Sequence, residues 1–322
     1  MSLVEVQDLS RSFGSVQAVR SVSFQFDAGQ IFGFIGPNGA GKSTTMRILA
    51  SLDLPSSGDC RVGGFSTVDD ADRVRRMVGY MPDQYGSYPN MSVLEYLDFF
   101  ARAHGLSPDR RRQAVADVVD FCQLGGLRDK LMTTLSKGMR QRLCLGRCLI
   151  HDPPLLILDE PSAGLDPRAR IEFRDLLRVL AGQGKAVFIS SHILAELEEL
   201  CDTVAIIEAG QLVAHGSVSQ VKAEARAARQ ARAAADPDER HQLVLRLAGP
   251  HAELDRLLAE QPELSDVVVD GMQVQAGIVG DEAAQAALLR RLVQAGLPIC
   301  AFGTRDQNLE DVFLHLTEGK VQ

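Results

Sequence analysis

Gly36-Pro37-Asn38-Gly39-Ala40-Gly41-Lys42-Ser43 follows the apolar run Ile31-Phe32-Gly33-Phe34-Ile35 and opens a helical stretch near Lys42. An uninterrupted apolar run is what a strand covered on both faces requires. Between such a strand and a helix, the pattern G-x-x-x-x-G-K-[ST] marks a phosphate-binding loop. Its backbone N–H groups, at the positive end of a helix, face a β-phosphate, while Lys42 reaches the β/γ oxygens and the Ser43 hydroxyl offers a ligand to Mg²⁺. The expected nucleotide cradle is Gly36, Pro37, Asn38, Gly39, Ala40, Gly41, Lys42 and Ser43 with the adjoining Thr44. An ordinary Gly-rich turn would need neither the lysine nor the serine.

On the N-terminal side, residues 3–9 and 21–26 alternate like antiparallel strands, with turns around Gly14 and at Ala28-Gly29. On the C-terminal side, apolar strand candidates at residues 155–158, 186–190 and 204–207 alternate with helical stretches at 168–180 and 193–200. That alternation predicts a parallel α/β sheet. Between a strand candidate near Tyr80 and residue 155 the periodicity is helical, over residues 93–100 and 108–124, so an inserted helical subdomain is expected at about 86–150. Residues 223–240 are almost entirely Ala, Arg, Glu, Gln and Asp, a composition for a solvated linker rather than a core. Residues 241–322 then read as a small α+β domain of βαββαβ order, an order that includes the ferredoxin-like fold. Residues 1–222 form the larger domain.

The 322 residues, 45% hydrophobic and 24% charged, are enough for two packed domains and exclude disorder throughout. A net charge of −8 has the wrong sign for a surface that tracks nucleic acid, and none is expected as a partner. Apolar runs are too short to span a bilayer, and the start of the chain shows no secretory signal. The six cysteines include no Cys-x-x-Cys pair. Cys144 and Cys148, four apart on a helix, read as core thiols rather than metal ligands. The Arg110-Arg111-Arg112 run reads as a solvated helix face.

Asp159 and Glu160 end the apolar strand Leu155-Leu156-Ile157-Leu158. Two adjacent acids at a buried strand end need a cation nearby. Mg²⁺ would supply it, with Asp159 holding the metal and Glu160 facing the γ-phosphate as base for an attacking water.

Leu135-Ser136-Lys137-Gly138-Met139-Arg140-Gln141-Arg142 resembles the signature motif of ATP-binding cassette (ABC) proteins. Ser162-Ala163-Gly164-Leu165-Asp166 is similar to the family's D-loop, His192 after Ile189-Ser190-Ser191 to its switch histidine, and Phe13 to the aromatic that stacks on adenine. The resemblance covers residues 3–216 in the family's order. Two departures stand out. Lys137 and Met139 replace residues of the usual Leu-Ser-Gly-Gly-Gln, although Ser136 and Gly138 are retained. In Val78-Gly79-Tyr80-Met81-Pro82-Asp83-Gln84 the Q-loop position falls on Asp83, with Gln84 next to it, and Asp83 is taken as the metal-side residue. Asn308-Leu309-Glu310-Asp311-Val312-Phe313 resembles the closing segment of ABC-2-type exporter subunits.

The resemblance implies a P-loop NTPase core of ABC type with an antiparallel β subdomain and a helical subdomain. It implies binding and hydrolysis of ATP with Mg²⁺, with Glu160 and His192 catalytic. Phe13, the phosphate loop, Ser136, Gly138 and Asp166 would be on the nucleotide, and Ser43, Asp159 and Asp83 on the metal. It also implies a head-to-tail dimer with a second copy, and separate integral-membrane permease subunits that hold the chain on the cytoplasmic face of the membrane and export an unidentified substrate. A GTPase is disfavoured because no Asn-Lys-x-Asp motif occurs. The alternative is a soluble ABC-type ATPase in a regulatory or nucleic-acid role. Val312, Phe313 and Leu316 are expected to pack within the tail domain.

Overall fold

The computed structural model describes residues 2–84, 86, 88–191, 194–224, 240–279 and 282–304. They fall into two compact units, one reaching Val221 and the other beginning at Lys222. His192 and the C-terminal segment with Asn308, Val312, Phe313 and Leu316 lie outside the described residues.

In the first unit β1 (Val4–Phe13) and β2 (Val16–Phe26) pair antiparallel, and β4 (Ser57–Val62) and β5 (Phe65–Ser66) extend the sheet in the order β2-β1-β4-β5. Both hairpin strands are longer than the alternation predicts. Asp8 and Ser21 adopt positive φ (46° and 49°) at register shifts, and these bulges break the two-residue period that marks a strand in sequence. Past the bulge, Val22, Phe24 and Phe26 are buried and Ser21, Ser23 and Gln25 are not, so one face of β2 is apolar.

That face packs on the main sheet. Phe24 and Phe26 meet Phe32 at centroid separations of 5.0 and 4.8 Å, and Phe34 meets Phe188 at 5.4 Å. Fully burying such a side chain contributes on the order of 1.5–3 kcal/mol. The main sheet runs β10-β9-β3-β8-β7-β6, from β10 (Gln211–Ser217), β9 (Thr203–Glu208), β3 (Ile31–Ile35), β8 (Ala186–Ser191), β7 (Leu155–Leu158) and β6 (Val78–Met81). All neighbours are parallel except β10, which pairs antiparallel to β9.

Around the sheets lie α1 (Lys42–Leu49), α2 (Ala71–Met77), α6 (Pro167–Gly182) and α7 (Leu194–Leu200), and the helical insert holds α3 (Val93–Ala103), α4 (Pro108–Phe121) and α5 (Lys137–Leu149). α3 starts at a capping box, in which Ser92 N–H donates to Glu95 Oε2 and Glu95 N–H to Ser92 Oγ. Cys144 and Cys148 are buried on α5 among apolar side chains, and burial pushes the Cys144 thiol up to about 12. Arg111 pairs with Asp98 at 2.6 Å and Arg112 with Asp109, so the run is solvated at Arg112 and partly buried at Arg111.

The second unit has its own core. β11 (Arg240–Leu247), β12 (Leu264–Asp270), β13 (Gln273–Val279) and β14 (Ile299–Thr304) form an antiparallel sheet of order β12-β13-β11-β14. With α8 (Leu254–Ala259) and α9 (Glu282–Gln294) the chain order is βαββαβ, as the sequence predicts. Alternate residues Leu243, Leu245 and Leu247 share a cluster with Val274, Ile278, Leu258, Leu288 and Leu292. No helix among the described residues is long and apolar enough to cross a membrane.

Candidate active site

Parallel pairing aligns the carboxyl ends of the central strands. Ile35 is level with Ser191 and Ile206, and Leu158 with Ile189 and Met81. The segments that leave this edge are therefore the phosphate loop after Ile35, Asp159-Glu160 after Leu158 and Asp83-Gln84 after Met81. In open parallel sheets this edge is where ligands sit.

Close approach shapes the loop. A Cβ on Gly36 would stand 2.4 Å from the carbonyl oxygen of Ile207, and one on Gly41 would stand 2.4 Å from that of Ala18 at a φ of +102°. Only glycine fits such positions. Gly41 leads straight into α1 without a side-chain cap, so the first N–H groups of the helix face the loop. Lys42, 6% exposed, donates from Nζ to the carbonyls of Gly36 (2.7 Å) and Pro37 (3.2 Å). Burial pushes its ammonium down from the ordinary lysine value, and the charges of Glu160 and Asp159 act against that shift. The structure thus brings Lys42, Asp159 and Glu160 together.

Asp159 is 3% exposed. Its N–H donates to the Met81 carbonyl at 2.8 Å, and its Oδ1 accepts from Ser190 Oγ at 2.6 Å. The same hydroxyl accepts from the Glu160 N–H at 2.9 Å. Glu160 is held at a φ of +49°, a left-handed conformation that costs a non-glycine residue on the order of 1 kcal/mol. Tyr80, on the strand beside β7, is pushed up to about 12 by burial and then by Asp159. Ser190 escapes a motif search. The signal for it in sequence is a hydroxyl inside a strand otherwise buried and apolar, where a polar group needs a partner.

A second group forms elsewhere in the same chain. Ser136 N-caps α5, accepting from Met139 N–H at 3.3 Å, and Asp166 N-caps α6, accepting from Ala169 N–H at 2.9 Å. Ser136, Gly138, Gly164 and Asp166 line one cavity of about 440 Å³. Asp83 and Gln84 line a different one, of about 330 Å³, with Lys137, Arg140, Gln141 and Ala163. Phe13 is 46% exposed, with the Arg11 guanidinium 4.4 Å above its ring.

The ABC transporter family matches residues 19–163. The chain is 32% identical over 317 residues to the daunorubicin/doxorubicin resistance ATP-binding protein DrrA of Streptomyces peucetius, covering 98% of this chain and 92% of that protein. The chain belongs to the ABC transporter family. Another relative, the Nod factor export ATP-binding protein I of Rhizobium etli, is 33% identical, with 98% of this chain and 94% of that protein covered. Among solved structures, an ATP-binding subunit of an ABC transporter matches with a TM-score of 0.64 and 30% identity, covering 69% of this chain and 93% of that one. The chain is accordingly an ATP-binding, ATP-hydrolysing subunit of ABC type with a P-loop NTPase core, and its hydrolysis powers transport.

Proposed function

We propose that two copies of this chain close head to tail on two ATP molecules, each lying between the phosphate loop of one copy and Ser136 and Gly138 of the other. The observation that carries this reading is the separation of the site into two groups. Lys42, Asp159 and Glu160 interact with one another, while Ser136, Gly138 and Asp166 share a cavity of their own. A triphosphate on the first group completes its shell with the helix N-terminus of the second, which a second copy supplies.

Within that arrangement the Lys42 ammonium moves from loop carbonyls to phosphate oxygens. Phe13 offers an exposed ring for the adenine, and the Arg11 guanidinium above it gives way. Glu160 takes a proton from the attacking water, and His192, the counterpart of the family's switch histidine, is the second catalytic residue. The donors fit a hard cation: the Ser43 hydroxyl and the Asp159 and Asp83 carboxylates would be its oxygen ligands. The local charge count favours one as well, since Lys42 brings one positive charge against two from Asp159 and Glu160 before a triphosphate arrives. Mg²⁺ bound there would neutralise charge developing on the phosphate oxygens.

The division of the chain follows the same reading: residues 1–222 are the ATP-binding domain, 223–240 a charged linker and 241–322 an accessory domain. Separate transmembrane subunits hold the assembly on the inner face of the membrane. The drug-resistance and Nod-factor-export names of two relatives support export as the direction. Glu160→Gln is the test. It should accumulate an ATP-bound dimer visible by light scattering with Mg-ATP while turnover falls by about 10²–10⁴. Parental turnover would remove Glu160 from the mechanism, and purification from detergent-solubilised membranes without a hydrophobic partner would sink the transport assembly.

A further inference from the structure

α5 grips the loop that follows Glu160 at points one helical turn apart. Gln141, 2% exposed, donates from Nε2 to the carbonyl of Pro161 at 2.6 Å. Lys137 lays its side chain over Gly164, so that a Cβ built on Gly164 would stand 2.4 Å from Lys137 Nζ and 3.4 Å from its Cε. Positions i and i+4 share a helix face, so both side chains reach the loop together. Arg142, next along α5, pairs with Glu172 on α6, the helix that Asp166 caps. The loop is thus tied to α5 at its start and its middle, and the helix it leads into is tied as well. At that same start it is anchored on Glu160, whose carbonyl accepts from Ala163 N–H at 3.1 Å.

Two features separate these contacts from ordinary packing. Gln141 keeps an amide in the interior although its Oε1 is buried and makes no hydrogen bond, a cost that an apolar residue of the same size would avoid. Lys137 stands where the motif usually carries glycine, and a glycine there could not touch Gly164. The contact depends on the lysine side chain.

We propose that Lys137 and Gln141 are positioning residues for hydrolysis. They lock Pro161 to Leu165 onto α5, so that the helix end resting on the partner's nucleotide fixes where Glu160 stands at the chain's own nucleotide. This rests on the dimer described under the proposed function. The consequence is coupling between the two sites: engagement of α5 by the second nucleotide braces the loop behind Glu160, and turnover rises cooperatively with ATP. Neither residue belongs to the phosphate loop, so loss of the brace lowers kcat and leaves nucleotide affinity in place.

The test is steady-state hydrolysis by the full chain across ATP concentrations, beside equilibrium binding of a fluorescent ATP analogue. Lys137→Met and Gln141→Leu should each lower kcat by about tenfold or more, because small misplacements of a reacting group are costly. Affinity should hold within about twofold, and the Hill coefficient should fall toward one. Lys137→Arg, which keeps the long cationic side chain, should retain parental values, whereas Lys137→Gly should behave like Lys137→Met despite giving the motif its commoner residue. Parental kcat and Hill coefficient in Lys137→Met and Gln141→Leu overturn the proposal, as does a loss of affinity and melting temperature that matches the loss of kcat. If Gln141→Leu fails to fold, Lys137→Met and Gly164→Ala, which displaces the ammonium, decide the question. Light scattering of Glu160→Gln with Mg-ATP separates the two levels. Without a dimer the underlying reading falls and the brace with it, and with a dimer but parental kcat in the Lys137 and Gln141 variants only the brace falls.

Discussion

Ser190→Ala removes one oxygen atom and with it one hydrogen bond of Asp159 and one of Glu160. The side chain is fully buried, its hydroxyl donates to Asp159 Oδ1 at 2.6 Å, and it accepts from Glu160 N–H at 2.9 Å. A hydrogen bond lost from a buried group costs about 1–3 kcal/mol, with the upper part of the range for a charged one. The two together predict a loss of about 2–4 kcal/mol, which a domain of ordinary stability, about 5–15 kcal/mol, survives. The measurement is the urea midpoint at unchanged slope, which reports stability without a change in the surface exposed on unfolding. Turnover should respond separately. The bond to Ser190 holds the Glu160 backbone at its φ of +49°, and its loss frees that residue toward an ordinary conformation. A fall in kcat of about 10–100-fold is expected, with ATP affinity within about twofold. A variant within about 0.5 kcal/mol of the parent and with parental kcat would refute the reasoning, since that is the range of an indifferent surface change.

Gly36→Ala places a Cβ 2.4 Å from the Ile207 carbonyl oxygen, and backbone cannot give way there as a side-chain tip can. It should destabilise by about 1–3 kcal/mol and abolish measurable binding of a fluorescent ATP analogue; parental affinity would count against the loop geometry. His104 and His151 stack with centroids 3.8 Å apart, and burial, then the Arg147 charge for His104 and His104 itself for His151, pushes both below the ordinary histidine value, His151 to about 4. Burial disfavours the charged form of both, so below 6.5 the unfolded chain takes up protons first, and the His151 contribution is whole above that pH and lost as pH falls toward about 4. His151→Phe keeps a ring and should flatten the pH dependence of the urea midpoint across that window, whereas an unchanged slope would show that other groups carry it. A chain ending after Val221 should fold and bind ATP, because the clusters around Phe32 and around Leu245 share no residue. Insoluble truncated protein would contradict the two-domain division.

The phosphate loop was legible because its chemistry demands particular residues at fixed spacing, and the buried strands because the parallel sheet covers both their faces. The accessory domain showed itself by alternation, with Leu243, Leu245 and Leu247 buried on one side. β4 was hidden for the opposite reason: in Ser57-Gly58-Asp59-Cys60-Arg61-Val62 only Cys60 and Val62 are buried, and the rest reads as a turn. β10 likewise buries no residue fully. Gln141 entered the sequence reading only as part of the signature-like stretch Leu135 to Arg142, with no role of its own. Its partner, the Pro161 carbonyl, is twenty residues away and acquires meaning only when α5 is laid on the loop. Ser190 was hidden in the same way, since its acceptor Asp159 lies 31 residues earlier in the chain.

Those two residues indicate how labour is divided at the site. In the proposed reading recognition rests on the backbone, with N–H groups exposed by a glycine at positive φ, and on one buried ammonium held by the loop carbonyls. In that reading chemistry rests on strand ends, where Asp159 and Glu160 bond a hydroxyl from the neighbouring strand and the next residue, Pro161, bonds an amide from the helical insert. The two sets meet through space at Lys42 but use different supports. Affinity and turnover should therefore fail independently, loop variants losing the first while Ser190 and Gln141 variants lose the second. A Gly36→Ala chain with parental affinity and lowered turnover at saturating ATP would reverse that partition. It would mean that the loop's position against Ile207 serves the alignment of the γ-phosphate with Glu160 more than the capture of the nucleotide.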